Sequence, residues 1–179
     1  MRLPGPFPLS VLLTAAGRMD VLVTRTAHAP GILVGHLPDD EAQAWPARTP
    51  RAVFHNPAAL AQAELSVDML CWPLAPRRLM GLVQAVLRVG RGQECDLVVP
   101  HSSVSRVHAR LFTQRRAAAI ADARSTPGTF VNNEPVQELV PRVLKDLDRV
   151  RLGAVDLQYV SIARLAAMLS LASPPARSS

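Results

Sequence analysis

Residues 87–163 carry a series of short apolar runs separated by turn-forming residues, and this spacing constrains the fold more than any other feature. The runs are Leu97–Val99, Val107–Phe112, Ala117–Ala121, Phe130–Val131, Arg149–Leu152 and Val155–Ile162. Gly, Pro, Ser and Asn cluster between them, as is typical of strands joined by structured turns. Such strands bury their apolar faces by packing as two sheets. The sequence therefore predicts a β-sandwich over this half of the chain.

Three turn clusters in this half carry groups that suit an anion, at residues 90–93, 100–106 and 122–133. Arg91 stands between two glycines, so a guanidinium and exposed backbone amides can reach the same ligand. Ser105 and Arg106 add a hydroxyl and a second cation, and Thr126 lies in a tight turn. Because binding groups commonly lie on loops at one end of a rigid sandwich, we expect these clusters to converge.

Four motifs occur here in the order typical of the forkhead-associated (FHA) family. Val89-Gly90-Arg91 resembles its strand-ending Gly-Arg, and residues 104–108 resemble its Ser-x-x-His loop. Residues 122–133 resemble its Asp-x-x-Ser-x-x-Gly-Thr-x-Val-Asn-Gly segment. Residues 144–153 are similar to its Leu-x-x-Gly-Asp-x-Val-x-Leu-Gly strand entry. The ordered set, more than any single motif, indicates an FHA-like domain.

The resemblance implies a β-sandwich that binds a phosphothreonine peptide through loops at one end. It implies that Arg91 holds the phosphate, that Ser105 bonds a phosphate oxygen and that Arg106 flanks it. Thr126 then lies beside the phosphothreonine side chain. By the same resemblance, the residues that shape the site are Gly90, His108, Gly128 and Asn132, with His108 tying the loops together.

The chain departs from the family pattern at several positions. Pro127 stands where many relatives carry an Asn that touches the peptide backbone, so a side-chain contact is expected to be missing. Asn133 replaces the usual turn Gly, a mild change because Asn tolerates positive φ. Leu147 replaces the Gly before Asp148, and we expect it to reshape that turn.

An amphipathic helix is predicted over Leu79–Leu87, where the family has two strands. Its apolar side chains follow the spacing of one helical face. They are Leu79, Met80, Leu82, Val83, Val86 and Leu87. Either these residues form strands after all, or the sandwich is incomplete at its start and borrows cover from the N-terminal segment. A second amphipathic helix is predicted over Ser161–Leu171, followed by a polar, Pro-rich tail that we expect to be disordered.

Residues 20–78 predict a small parallel α/β segment, because short apolar runs alternate there with helix-like stretches. The runs are Val21–Val23, Ile32–Val34, Ala52–Phe54 and Met69–Trp72. Residues 68–73 resemble the last strand of a response-regulator receiver domain, with Trp72 in place of the Lys of that family. No strand-end Asp occupies the phosphoacceptor place, so the resemblance implies an inactive, truncated relative that serves as a platform or dimerisation surface.

The predicted fold is thus α+β overall. It comprises an unassigned arm at residues 1–19, the α/β segment at 20–78, an FHA-like β-sandwich at 79–163, and a helix with a disordered tail at 164–179.

Composition argues against several functional classes. Cys71 and Cys95 show no metal-ligand spacing, and the histidines are scattered, so neither a metal nor a cofactor is expected. No nucleophile, base and orienting residue can be assembled into a catalytic set, so an enzyme is not expected. Only two Trp, one Tyr and four Phe are present, which argues against a nucleic-acid partner. No run approaches the roughly 20 apolar residues of a membrane span.

The sequence therefore predicts a cytoplasmic phosphothreonine-peptide binding module that acts as a signalling adaptor in Ser/Thr kinase pathways. Its expected partners are a phosphothreonine-containing protein and a Ser/Thr kinase. One alternative is a phosphate-independent scaffold for protein interaction or homo-oligomerisation. The other is a transcription regulator built on a degenerate receiver domain, which the sequence pI of about 10.9 favours. Equal binding of phosphorylated and unphosphorylated peptides would favour the scaffold.

Overall fold

The computed structural model describes residues 7–8, 29–38, 69–74, 84–114, 116–165 and 167. These residues form twelve strands in two sheets. The strands are β1 (Phe7–Pro8), β2 (Gly31–Gly35), β3 (Leu70–Pro73), β4 (Gln84–Gly90), β5 (Leu97–Val98), β6 (Ala109–Gln114), β7 (Ala117–Asp122), β8 (Thr129–Val131), β9 (Glu134–Pro135), β10 (Arg142–Leu144), β11 (Arg149–Leu152) and β12 (Val155–Ser161). Within these ranges no helix is long and apolar enough to cross a membrane.

The two sheets have different strand orders. The seven-stranded sheet runs β1-β3-β2-β12-β11-β8-β9, with antiparallel neighbours throughout. The five-stranded sheet runs β10-β7-β6-β4-β5, and its β4–β5 pair is parallel. Mostly antiparallel strands in two sheets make this part of the chain a β-sandwich, as predicted.

Alternating side chains from both sheets form the core. In β6 the inward residues Ala109 and Leu111 are fully buried, while Arg110 between them is exposed. In β12 the inward residues Leu157 and Tyr159 are 2% exposed. This period of two places the apolar side chains of both sheets in one cluster and leaves the connecting loops free at the ends.

The helix predicted over Leu79–Leu87 is wrong for residues 84–87, because Gln84–Gly90 is strand β4. Val86 and Arg88 are exposed whereas Leu87 and Val89 are buried, so burial has a period of two. β4 pairs with β6 over six residues, and this pairing outweighs the local helical spacing. Residues 79–83 lie outside the described part of the chain.

Two strands from the predicted α/β segment belong to the sandwich. β2 pairs antiparallel with β12 on one side and with β3 on the other. The parallel arrangement predicted for this segment is therefore wrong for β2 and β3, and the receiver resemblance gains no support. Trp72 on β3 is 3% exposed, and its indole N–H donates to the Val98 carbonyl of the other sheet at 2.8 Å.

Other sequence predictions lie partly or wholly outside the described residues. Val21–Val23, Ala52–Phe54 and the helix-like stretches between them are among these. A helical turn begins at residue 162, so the C-terminal helix is confirmed at its start, and most of its predicted length lies outside.

Candidate functional site

Three loops meet at one end of the sandwich, and we call them together the loop cluster. The first loop is residues 91–96, the second is 99–108 and the third is 123–128. They follow strands β4, β5 and β7, which belong to the same five-stranded sheet. The turn clusters singled out in the sequence supply these loops, except for residues 129–133, which leave the cluster along β8.

Backbone hydrogen bonds join the first loop to the second. The Arg91 N–H donates to the Ser105 carbonyl at 3.0 Å, and the Gly92 N–H donates to the Arg106 carbonyl at the same distance. A Cβ on Gly90 would collide with the Arg106 carbonyl oxygen. Glycine at position 90 is therefore needed for the two backbones to approach this closely.

Ser105 also joins the second loop to the third. Its hydroxyl oxygen accepts a hydrogen bond from the Thr126 N–H at 3.2 Å. Because the hydroxyl acts as acceptor in this bond, its own hydrogen stays available to a ligand oxygen. Arg91, Ser105 and Thr126 are thereby brought together, as the motif order predicted that they should be.

His108 lies at the centre of the loop cluster and is fully buried. Its Nδ1 accepts from the Ser105 N–H at 3.0 Å, so we assign the proton to Nε2, which donates to the Gly128 carbonyl at 3.1 Å. Its backbone bonds Val89 and Ala123. Burial lowers the pKa of His108, which favours the neutral ring. A buried neutral ring between three loops positions them.

The turn that carries Thr126 is built on Asp122, which is 4% exposed. Its carboxylate accepts from the Ser125 hydroxyl at 2.6 Å and from the Thr129 hydroxyl at 2.7 Å. The Ser125 hydroxyl oxygen in turn accepts from the Gly128 N–H at 3.0 Å. Burial alone would raise the pKa of Asp122, but the hydrogen bonds outweigh it and the pKa is lowered. Asp122 therefore stays ionised and caps the turn.

The second loop is anchored from the other sheet. The Ser103 hydroxyl oxygen accepts from the Ala154 N–H at 2.8 Å, in the turn between β11 and β12. The Ser103 N–H donates to His101 Nδ1 at 3.1 Å, and His101 is 4% exposed. Sequence reasoning missed this contact, because nothing in the spacing of residues 101–103 links them to a turn about 50 residues away.

Glu94 is a further residue that sequence reasoning missed. Its Oε1 lies 3.2 Å from the guanidinium of Arg106, whose side chain is 74% exposed. A hydrogen bond from its own backbone N–H and, after it, the charge of Arg106 lower the pKa of Glu94. The second cation of the cluster is therefore already paired with an acid. The position of Glu94 in the turn that follows Arg91 is the sequence feature that could have indicated this ion pair.

The remaining site residues differ in their placement. Arg91 is exposed and makes no ion pair with another described residue. Thr126 and Pro127 are exposed on the third loop. Asn132 lies outside the loop cluster, where its amide bonds Asp148 at 2.8 Å and fixes the β8–β9 turn.

The loop cluster presents the exposed guanidinium fork of Arg91, the Ser105 hydroxyl and the guanidinium of Arg106, which Glu94 partly neutralises, on a rigid support. Such a set can bind a tetrahedral oxyanion. Among the described residues, no group of three or more His, Cys, Asp or Glu side chains could hold a metal ion.

Comparison with known proteins gives a consistent result. Residues 87–153 match the family model described as FHA domain. The FHA domain-containing protein FhaA of Mycobacterium tuberculosis is 45% identical over 65 residues, which are 36% of this chain and 12% of FhaA. The glycogen accumulation regulator GarA of the same organism is 32% identical over 80 residues, which are 45% of this chain and 48% of GarA. The chain thus spans less than half the length of either relative.

Among solved structures, one from a structural and functional analysis of phosphothreonine-dependent FHA domain interactions is 24% identical. The match covers 73% of this chain and 95% of that chain, with a TM-score of 0.44.

Proposed function

We propose, on the premise that residues 87–153 are an FHA domain, that this chain binds phosphothreonine-containing peptides and acts as an adaptor in Ser/Thr kinase signalling. The observation that carries the proposal is the meeting of three loops at Ser105. The Arg91 N–H bonds its carbonyl at 3.0 Å and the Thr126 N–H bonds its hydroxyl at 3.2 Å. A cation, a hydroxyl and an exposed turn thereby surround one small area of surface.

A phosphate ester suits this arrangement because of its charge. At pH 7 it carries about −1.5 to −2 charges and three strong acceptor oxygens. The Arg91 fork supplies paired N–H donors, and the Ser105 hydroxyl supplies one more. Since Arg91 makes no ion pair with another described residue, its guanidinium is available to the ligand.

The hydrogen bonds that hold the loop cluster rigid support ligand recognition without catalysis. Buried His108 and ionised Asp122 are both held by hydrogen bonds within the loop cluster, so neither is free to act as a base. We therefore assign the site a binding role. A cytoplasmic location and the absence of a cofactor stay predictions from the sequence. The preference for phosphothreonine over phosphoserine follows from the FHA resemblance.

The experiment that tests this function is a phosphopeptide array probed in parallel with the wild-type chain and Arg91→Ala. A charge-assisted hydrogen bond contributes about 1.5–3 kcal/mol, so Arg91→Ala should weaken binding about 10- to 100-fold. Ser105→Ala should cost less, because a neutral hydroxyl is the weaker donor.

The matched control is Arg116→Ala, because Arg116 is exposed at the far end of the β6–β7 pair, away from the loop cluster. It should leave phosphopeptide affinity unchanged. Equal binding of phosphorylated and unphosphorylated peptides by the wild-type chain would refute the proposal and favour a phosphate-independent scaffold.

A further inference from the structure

An apolar row crosses the outer face of the five-stranded sheet. Val143 on β10 pairs with Ala119 on β7, Ala119 pairs with Phe112 on β6, and Phe112 pairs with Val86 on β4. Val143 is 65% exposed and Val86 is 50% exposed. We call these four residues the apolar row.

The row faces away from the core. Its sequence neighbours Leu87, Leu111, Ile120 and Leu144 are at most 5% exposed and belong to the core cluster, so alternate residues must point outward. The solvated face of an antiparallel sheet is ordinarily polar. Four apolar residues in register on such a face, two of them at least half exposed, form a contiguous apolar strip of the kind that can contact another chain.

The charge beside the row is positive. The next row toward the loop cluster contains Arg88 and Arg110, which pair with each other across β4 and β6. Arg88 lies 3.7 Å from Asp96, whereas Arg110 is exposed and has no ion pair with another described residue. A partner that covers the apolar row therefore meets a net positive charge on the side of the candidate phosphate site, and acidic residues fit there.

The row is continuous with the loop cluster. Val86 and Gly90 are four residues apart on β4, which is about 13 Å in a strand. Roughly four extended residues span the same distance, so a peptide whose phosphothreonine sits at Arg91 can reach the row. The arginine pair lies between the two.

A second copy of this chain is a poor occupant for the same surface. A two-fold symmetric dimer uses the same patch on both subunits, so it would bring Arg110 of both copies into one interface. The charge favours a partner of opposite sign.

We propose that the segment of the partner protein next to the phosphothreonine lies over this face, with acidic residues against Arg88 and Arg110 and apolar residues on the apolar row. This inference rests on the proposed phosphothreonine binding. It names the partner chemistry: a phosphothreonine, then an acidic stretch, then apolar residues about four to six positions away.

The test compares synthetic peptides by isothermal titration calorimetry. One is a short phosphothreonine peptide chosen from the array. Two further peptides extend it by acidic residues followed by leucines, one on the N-terminal side and one on the C-terminal side. Each has a control peptide in which serines replace the leucines. One leucine extension should bind about tenfold more tightly than its serine counterpart, because the leucines bury apolar area on the row.

The double variant Val86→Ser/Val143→Ser should abolish this gain. Its affinity for the short peptide should stay unchanged, and this unchanged affinity also shows that the variant is folded. Arg110→Gln should weaken the binding of both the leucine extension and its serine control at low salt, because both carry the acidic residues, and should leave the affinity for the short peptide unchanged. If the short peptide binds but neither leucine extension exceeds its serine control, the inference is overturned and the proposed function stands. A gain that persists in the double variant also overturns it. Failure of the short peptide to bind removes the proposed function, and this inference with it.

Discussion

At the scale of single residues, Glu94 has the clearest consequence for ligand binding. Its carboxylate lies 3.2 Å from Arg106 at the rim of the loop cluster, on the loop that begins with Arg91. A phosphate bound at Arg91 therefore approaches an acid as well as two guanidinium groups. Glu94 weakens the attraction that the loop cluster exerts on a dianion.

Glu94→Gln should accordingly strengthen phosphopeptide binding about two- to fivefold, the range expected for an exposed charge. The glutamine has nearly the same size, and Arg106 loses its competing acid. Fluorescence anisotropy with the short phosphothreonine peptide measures the change.

Salt provides the control, because screening shortens the reach of exposed charges. The gain should shrink as ionic strength rises, whereas binding of the unphosphorylated peptide should stay unchanged. Weaker binding by Glu94→Gln would mean that Glu94 positions Arg106 for the ligand, contrary to this prediction.

Two residues show how local backbone geometry can be read from a motif. Asn133 and Leu147 both adopt positive φ, at 67° and 68°, in the two places where the FHA pattern has glycine. Leu147 adopts this φ in a turn where its N–H bonds the Tyr159 carbonyl at 2.8 Å, and whether it reshapes the turn of relatives stays a prediction. At Asn133 the residue type also tolerates positive φ, whereas at Leu147 only the glycine of the motif indicates it.

At the scale of elements, the third loop depends on the protonation states of two buried groups. The pKa of His108 is lowered from an ordinary value of 6.5, and that of Asp122 is lowered from 3.8. In both cases the unfolded chain binds protons more readily than the folded one, so stability falls as pH falls. The free energy of unfolding should decline in two steps, below about pH 6.5 and again below about pH 3.8.

Urea denaturation across this pH range measures the decline. Asp122→Asn should remove much of the lower step and should cost about 2 kcal/mol at pH 7, because two hydroxyl donors lose their charged acceptor. His108→Gln should remove the upper step. If the urea concentration at the midpoint of unfolding stayed constant from pH 7 to about pH 3, the roles of both residues would be contradicted.

The elements that could be predicted from the sequence are those whose pattern is local. β6, β7 and β12 carry alternating or continuous apolar runs bounded by turn residues, and each was predicted within about two residues of its observed position. β4 was mistaken for a helix because its apolar residues also satisfy helical spacing, and only its pairing with β6 decides between the two. β10 was missed because it is three residues long and its middle residue is exposed.

The loop cluster was predictable for a different reason. Ordered motifs predicted that Arg91, Ser105 and Thr126 lie together, and hydrogen bonds from the Arg91 and Thr126 N–H groups to the carbonyl and the hydroxyl of Ser105 join their loops. The ion pair between Glu94 and Arg106 could not be predicted in this way, because contacts between loops produce no periodic pattern in the sequence. Only the three-dimensional structure reveals it.

At the scale of the whole molecule, the sandwich depends on the first half of the chain. β2 lies between β3 and β12, and the Tyr159 hydroxyl donates to the Pro30 carbonyl at 3.1 Å. Leu33 and Trp72 contribute to the same core cluster as Leu157. A domain cut at residue 79, the boundary predicted from the sequence, would lose both strands.

A chain that begins at residue 79 should therefore fail to unfold cooperatively, because β12 would expose one edge and part of the core. Differential scanning calorimetry of this truncated chain, beside the full chain, tests the expectation. A chain ending at residue 172, which lacks only the predicted tail, is the control and should keep the full-chain transition. A sharp transition for the chain beginning at residue 79, at the full-chain temperature, would contradict it.

The contact between Pro30 and Tyr159 joins residues 129 positions apart. On the ribosome, β2 is made long before β12, the strand beside which it must lie. Nascent chains therefore carry Ile32, Leu33 and Val34 without their final neighbour until β12 has been made. Slow closure of the sandwich is expected from this late, long-range pairing.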